Sequence, residues 1–331
     1  MLWGGDRGML RVGALAASVC ALLLASNAAQ SAEASNRPVR LVLPFPPGGG
    51  SDTLSRILAP RLSEATGQQW VVDNRSGAAG NIATEIVAKA PPDGNTVLLT
   101  LNSVLTMNPA LYPDLRVNVE TDLAPVTQLS LGQYIVVVNP GVAASTIRDL
   151  LELARVKPGT LRYASSGVGS TPHLAGELLK SMARIDIVHV PYKGAGPSIL
   201  AVLSGEVQLT FASVAASMSH VRAGKLKALA VTGLKRSSVA PDLPTLSESG
   251  AAGYNVVSWH ALMLPGKTPP AIVAKLYDRV SSVAQLQPVL DAMGREGMEQ
   301  TVRGPKELAA LIRSESTTWR SIIKAAQIRG E

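Results

Sequence analysis

Residues 39–58, VRLVLPFPPGGGSDTLSRIL, set the fold class. Val39 to Leu43 is an apolar, β-branched run of strand length. Pro44 to Asp52 is a proline- and glycine-rich break. Leu54, Ile57, Leu58 and Leu62 then recur at helical spacing until Gly67 stops the helix. Strand, glycine-rich turn, helix is the repeating step of a parallel α/β architecture.

The step recurs on both sides of the chain's middle. Residues 70–72 read as a strand. Residues 82–90 read as a helix ended by Pro91-Pro92-Asp93-Gly94, and 96–101 as a third strand. A second set opens with the strand 134–138. Thr146 caps a helix with Asp149 three residues on, and Ile147, Leu150, Leu151 and Ala154 share one face until Pro158-Gly159. Residues 161–164 form a strand, followed by the loop Ser165-Ser166-Gly167-Val168-Gly169-Ser170-Thr171. Pro172 then suits a first helical position ahead of Leu174, Leu178, Leu179 and Met182. Further strands are predicted at 187–190, 207–211 and 228–231, with a short helix opened by Pro197 and ended by Gly205. Past residue 250 come an extended segment, 256–264, and two amphipathic helices; the last carries Leu308, Leu311, Ile312, Trp319, Ile322 and Ile323 on one face. No flexible spacer separates the two sets, so the chain is expected to cross between lobes through structured segments.

The chain has 331 residues, 46% hydrophobic and 17% charged, which suits two compact domains and excludes a disordered or fibrous chain. The net charge of +7 is scattered, with no basic run longer than Lys235-Arg236. A nucleic-acid groove needs clustered cations interleaved with aromatics, so no nucleic-acid partner is expected. Arg7 and Arg11 precede the small-apolar stretch 12–25, too short for a comfortable bilayer span. Small residues with several cleavage points follow, so residues 1–32 read as a secretory signal peptide, with a retained anchor as the alternative. Cys20, the single cysteine, leaves with it. The mature chain then offers no disulfide, cysteine nucleophile or thiolate metal ligand, and neither cofactor nor metal is expected.

Two glycine-rich loops, 44–52 and 165–171, each join a strand to a helix. Glycine lets backbone N–H groups approach a ligand, and a helix N-terminus offers unpaired donors and a positive partial charge. Parallel sheets bind ligands beyond the carboxyl ends of their strands, which places both loops at one edge as half-sites for an anion. The competing reading makes them plain tight turns, with Ser51, Asp52, Ser170 and Thr171 as caps. Neither loop carries the Gly-Lys-Ser/Thr of a phosphate-binding loop or the third glycine of a dinucleotide fingerprint.

From about Pro38 onward the chain resembles the substrate-binding receptors of tripartite tricarboxylate transporters, the Bug receptor family. The blocks that carry the resemblance are PFPPGGGSD (44–52), VVDNRSGAAGN (71–81), PDGNTVLL (92–99), YASSGVGSTPHLAGELLK (163–180), HVPYKGAGPSI (189–199), AGKLKALAVT (223–232), Trp259 and LPGKTPP (264–270). The resemblance implies a type II periplasmic-binding-protein fold, two α/β lobes around a ligand cleft. Residues 37–131 and 233–331 would form one lobe and 132–232 the other. It implies a small organic carboxylate gripped by a loop from each lobe, partly through ordered water, and handed to the membrane subunits of the transporter. It further implies a periplasmic monomer. The family's acidic positions around 207–211 are Gln208 and Ala212 here, which argues against an amino-acid ligand.

The expected ligand-binding residues are Phe45, Gly48, Gly49, Gly50 and Asp52 in the first loop. In the second they are Ser166, Gly167, Ser170, Thr171 and His173. Asn102 and Ser103 follow the third strand at the same sheet edge, and Ser213 follows the strand 207–211. Asp52 also reads as a cap and loop organiser, and His173 either donates to a ligand or locks its loop. His189, His220 and His260 have no metal-type spacing and read as structural, and Trp259 and Trp319 as packing residues. Two other outputs compete with this reading. A secreted α/β hydrolase lacks a Gly-x-Ser-x-Gly elbow, although distant residues could still assemble a triad. A ligand sensor feeding a membrane signalling protein would use the same fold.

Overall fold

The computed structural model describes residues 37–47 and 50–330. The leader read at 1–32, Cys20, Gly48 and Gly49 lie outside the described residues. In chain order the first elements are β1 (Val39–Leu43), α1 (Gly50–Thr66), β2 (Trp70–Asn74), α2 (Asn81–Ala88) and β3 (Thr96–Leu101). A π-helical turn, Ser103–Met107, leads to α3 (Asn108–Leu111), α4 (Val119–Asp122) and β4 (Leu123–Val138). Then come α5 (Ile147–Val156), β5 (Arg162–Ser165), α6 (Thr171–Ala183), β6 (Val188–Pro191), α7 (Ala195–Ser204), β7 (Leu209–Ser213), α8 (Val214–Arg222) and β8 (Lys227–Val231). The chain closes with β9 (Val257–Pro265), α9 (Pro270–Ala284), α10 (Gln287–Arg295), β10 (Met298–Arg303) and α11 (Pro305–Ala325).

The strands join in the order β2-β1-β3-β9-β4-β7-β5-β6, with β8 and β10 also on β4. The outer strands are parallel, as the strand–helix repeat predicts: β1 with β2 and β3, β5 with β6 and β7. The centre is antiparallel, so the sheet is mixed. β4 pairs with β9 from Leu123↔Pro265 to Gln133↔Val257 and with β7 from Tyr134↔Ser213 to Val138↔Leu209. One strand therefore belongs to both halves of the molecule. The sequence pattern marks only its second part, 134–138, because Pro125 and Gly132 interrupt the apolar run. The structure absorbs them in register shifts, at Pro125/Thr127 and Gln128/Ser130 against β9.

Three helices, not two, follow residue 265. Only residues 285–286 separate α9 from α10, and the break is marked by a proline in the first turn of α10. β10 is half-buried along its length, so it has no period-2 signal. Elsewhere local rules hold: Thr146 and Asp149 form a reciprocal capping box on α5.

Each half has its own core. Tyr163, Phe211, Leu174 and Leu179 fill one beneath α6, while Leu41, Leu54, Leu58, Leu99 and Leu262 fill another between α1 and the sheet. Each such aliphatic side chain contributes about 1.5–3 kcal/mol on full burial. No helix among the described residues is long and apolar enough to cross a membrane.

Candidate functional site

Loop 44–52 leaves the carboxyl end of β1 and loop 165–171 the carboxyl end of β5, as the sheet-edge argument requires. Between the two halves lies a cavity of about 590 Å³. Phe45, Gly50, Ser51, Leu101, Ser258, His260 and Glu296–Met298 line it from one side, and Ala195, Ser213, Val214 and Ala216 from the other. Gly132, Gln133 and Tyr134 of the shared strand β4 close its floor.

Three helices begin at this cavity: α1 at Gly50, α7 at Ala195 and α8 at Val214. Each N-terminus carries roughly half a positive charge and N–H groups without intrahelical acceptors. No lysine or arginine is among the lining residues, and Glu296 is the one acidic side chain there. Any positive potential inside comes from backbone dipoles on both sides of the cleft. That suits a small anion more than a cation, a sugar or a nucleotide phosphate chain.

His260 carries the wall between α1 and β4. Its Nε2 lies 3.0 Å from Ser51 Oγ and its Nδ1 2.8 Å from Ser130 Oγ. Burial pushes it down to about 4, so the ring is neutral at physiological pH and passes one hydrogen bond in each direction. On the floor, the Tyr134 hydroxyl faces those of Thr171 and Ser258, and burial raises the phenol despite them. Thr171 stands at the start of α6 and Ser258 in β9, so one hydroxyl lies between groups of the two halves at the cavity.

The sequence-predicted residues fall into five groups. Phe45, Gly50 and Ser213 line the cavity. Ser166 and Thr171 lie one residue behind its wall. Ser166 O accepts from Gly194 N, next to Ala195, and Thr171 faces the Tyr134 hydroxyl. Gly167, Ser170 and His173 build the same loop: Gly167 O accepts from Ser170 N and Ser170 Oγ, and Gly169 N donates to His173 Nδ1. Asp52, Asn102 and Ser103 are not among the lining residues. Asp52 is buried and organises the first loop, accepting from Arg56 Nε at 2.8 Å and Asn74 Nδ2 at 3.2 Å. Asn102 turns inward, donating to Val257 O at 2.9 Å and accepting from Trp259 N. Ser103 opens the π-helical turn. Gly48 and Gly49 lie outside the described residues.

Sequence reasoning missed Tyr134, Ser258 and His260. The signal was present in β9. Trp259 packs into the core, so its strand neighbours 258 and 260 must face the other way, together.

The profile of the tripartite tricarboxylate transporter family receptor matches residues 54–328. BugT of Bordetella pertussis strain Tohama I is 32% identical over 289 residues, 87% of this chain and 89% of that protein. Among solved structures, Rpa4515 of R. palustris with adipate superposes with a TM-score of 0.78 at 35% identity, over 88% of this chain and 98% of that one. MatC of Rhodopseudomonas palustris with bound malate gives 0.74 at 29% identity, over 87% and 99%.

Proposed function

Because the chain belongs to the tripartite tricarboxylate transporter receptor family, we propose that it is a periplasmic receptor for a small organic carboxylate. It delivers that ligand to the membrane subunits of a tripartite transporter. The carrying observation is the cavity where α1, α7 and α8 all begin, from both sides, without a lysine or arginine in the lining. Backbone and hydroxyl donors recognise carboxylate oxygens without a fixed cation, and bonds to a charged acceptor are about twice as strong as neutral ones. The adipate and malate of the two R. palustris relatives support the ligand class.

In this reading residues 1–32 are a removed export signal, and the mature chain acts as a monomer. Residues 37–131 with 233–331 form one lobe and 132–232 the other. The change of β4 partners at Gln133/Tyr134, from β9 to β7, supports a hinge there. The receptor binds one ligand per chain and does not turn it over.

Calorimetry with mono-, di- and tricarboxylates, each beside its amide or methyl ester, tests the reading. A bond to a charged group contributes about 1.5–3 kcal/mol, so replacing the carboxylate should weaken binding roughly tenfold to a hundredfold. Equal affinity for acid and amide would refute it.

A further inference from the structure

We propose that His173 and His189 are a positioning pair for the loop 165–171, holding its two glycines in one backbone shape behind the cavity wall; this rests on the carboxylate-receptor reading. The two rings stack face to face, centroids 3.7 Å apart and planes 8° apart. They come from different elements, α6 and β6, and each reaches one part of the loop.

The bonds fix which nitrogen carries each proton. Gly169 N donates to His173 Nδ1 at 3.0 Å, so that nitrogen has a free lone pair and the proton sits on Nε2. Ser165 Oγ donates to Gly167 O at 3.0 Å and accepts from Gly167 N at 3.1 Å. With its proton on Gly167 O, Ser165 accepts from the Nε2–H of His189, 2.7 Å away. Gly167 and Gly169 have φ of +134° and +74°, conformations reserved for glycine and costly to hold without anchors. Each of the two glycines is thus anchored by one imidazole, Gly169 directly and Gly167 through Ser165.

An aromatic pair would fill the same volume. What only an imidazole supplies is a hydrogen-bonding nitrogen at the ring edge facing the loop. The groups facing the pair are Tyr163 on β5, with its ring 5.0 Å from His189, and Glu177 and Lys180 on α6. Glu177 Oε1 is already shared by Tyr163 Oη at 2.8 Å and Lys180 Nζ at 3.0 Å. Burial keeps both rings neutral, with His173 lowered and His189 pushed down to about 3, where His173 and Lys180 add to the effect. Protonation of His173 at Nδ1 removes the acceptor of Gly169, so acid releases the loop.

The test uses the full ligand-free chain, labelled with ¹⁵N, in wild-type, His173→Phe and His173→Asn forms. Phenylalanine keeps a stacking ring without an acceptor; asparagine keeps an acceptor near the position of Nδ1. Loss of one hydrogen bond should speed Gly169 amide exchange by about tenfold in His173→Phe, with β1 amides unchanged, and His173→Asn should restore it. In wild type, Gly169 protection should fall as pH drops through the His173 titration, and in His173→Asn it should not. Gly169 exchange unchanged in His173→Phe would overturn the proposal. Titration with adipate and malate adds the functional arm. Affinity should fall about tenfold in His173→Phe and recover in His173→Asn, and equal affinity in all three forms would also overturn it. Should no carboxylate bind wild type, the receptor reading falls, while amide exchange still decides the role of the pair.

Discussion

The indole Nε1–H of Trp259 donates to Glu315 Oε1 at 2.8 Å, joining β9 to α11 behind the cavity wall. Asn102 Nδ2 and Thr106 Oγ1 approach the other carboxylate oxygen at 3.5 Å each. Burial raises this carboxyl above its usual range despite those bonds. A group whose folded value exceeds its unfolded value stabilises the fold while protonated, and that contribution is lost as pH rises through the folded value. Glu315→Gln keeps an acceptor for the indole and removes the buried charge. Its melting temperature should gain on wild type as pH rises from 4 to 8. A difference that stays flat with pH would contradict this account. Glu315→Ala, which strands the indole N–H, should cost roughly 1–3 kcal/mol.

His260 has the opposite sign. Its folded value of about 4 lies below the ordinary 6.5, so the fold favours the neutral ring. Stability should be complete at neutral pH and fall as pH drops from 6.5 toward 4. The span is on the order of 3 kcal/mol at 1.36 kcal/mol per unit. Chemical denaturation of wild type and His260→Gln over that range measures it, and the variant's curve should be the flatter. Parallel curves would show that the ring does not titrate with unfolding.

Gly176 faces the ring of Tyr163 across α6 and β5, and a Cβ there would overlap the ring atoms. Gly176→Ala should therefore destabilise the chain by about 1–3 kcal/mol, although alanine is the better helix former by nearly 1 kcal/mol. Urea unfolding gives the answer, and a stabilised variant would mean that Tyr163 moves freely.

Removing the Tyr134 hydroxyl takes away the polar group that faces Thr171 and Ser258 across the cleft while keeping the ring in the cavity's floor. Tyr134→Phe should weaken carboxylate binding several-fold and leave ligand-dependent compaction smaller in solution scattering. Wild-type compaction in the variant would place the closing contacts elsewhere.

Much of this architecture was legible in the sequence because local rules and tertiary structure agree there. The loop before α1, the Thr146–Asp149 box and the strand at Thr96–Leu101 each follow from a few neighbouring residues. β4 was half-legible, since its continuity depends on partners more than a hundred residues away and its own Pro125 and Gly132 argue against it. The same divide runs through the site. Phe45, Gly50 and Ser213 are announced by glycine-rich or strand-end context. Asn102 occupies a strand end of the same kind, yet it turns inward to Val257, a partner no local pattern reveals.

The strand shared by both halves also sets an order of events in folding. Leu123 pairs with Pro265 and Gly132 with Met298, so contact order at the centre of the sheet is high. A chain still emerging from the ribosome can form α1 and the parallel edge around β1, but β4 has no partner on its first half until β9 is made. Until then its polar edge stays bare and the nascent chain stays loose, late into synthesis. The half built on β5 to β8 can pair with the second part of β4 first, and the half built on β1 to β3 closes only when β9 and β10 arrive.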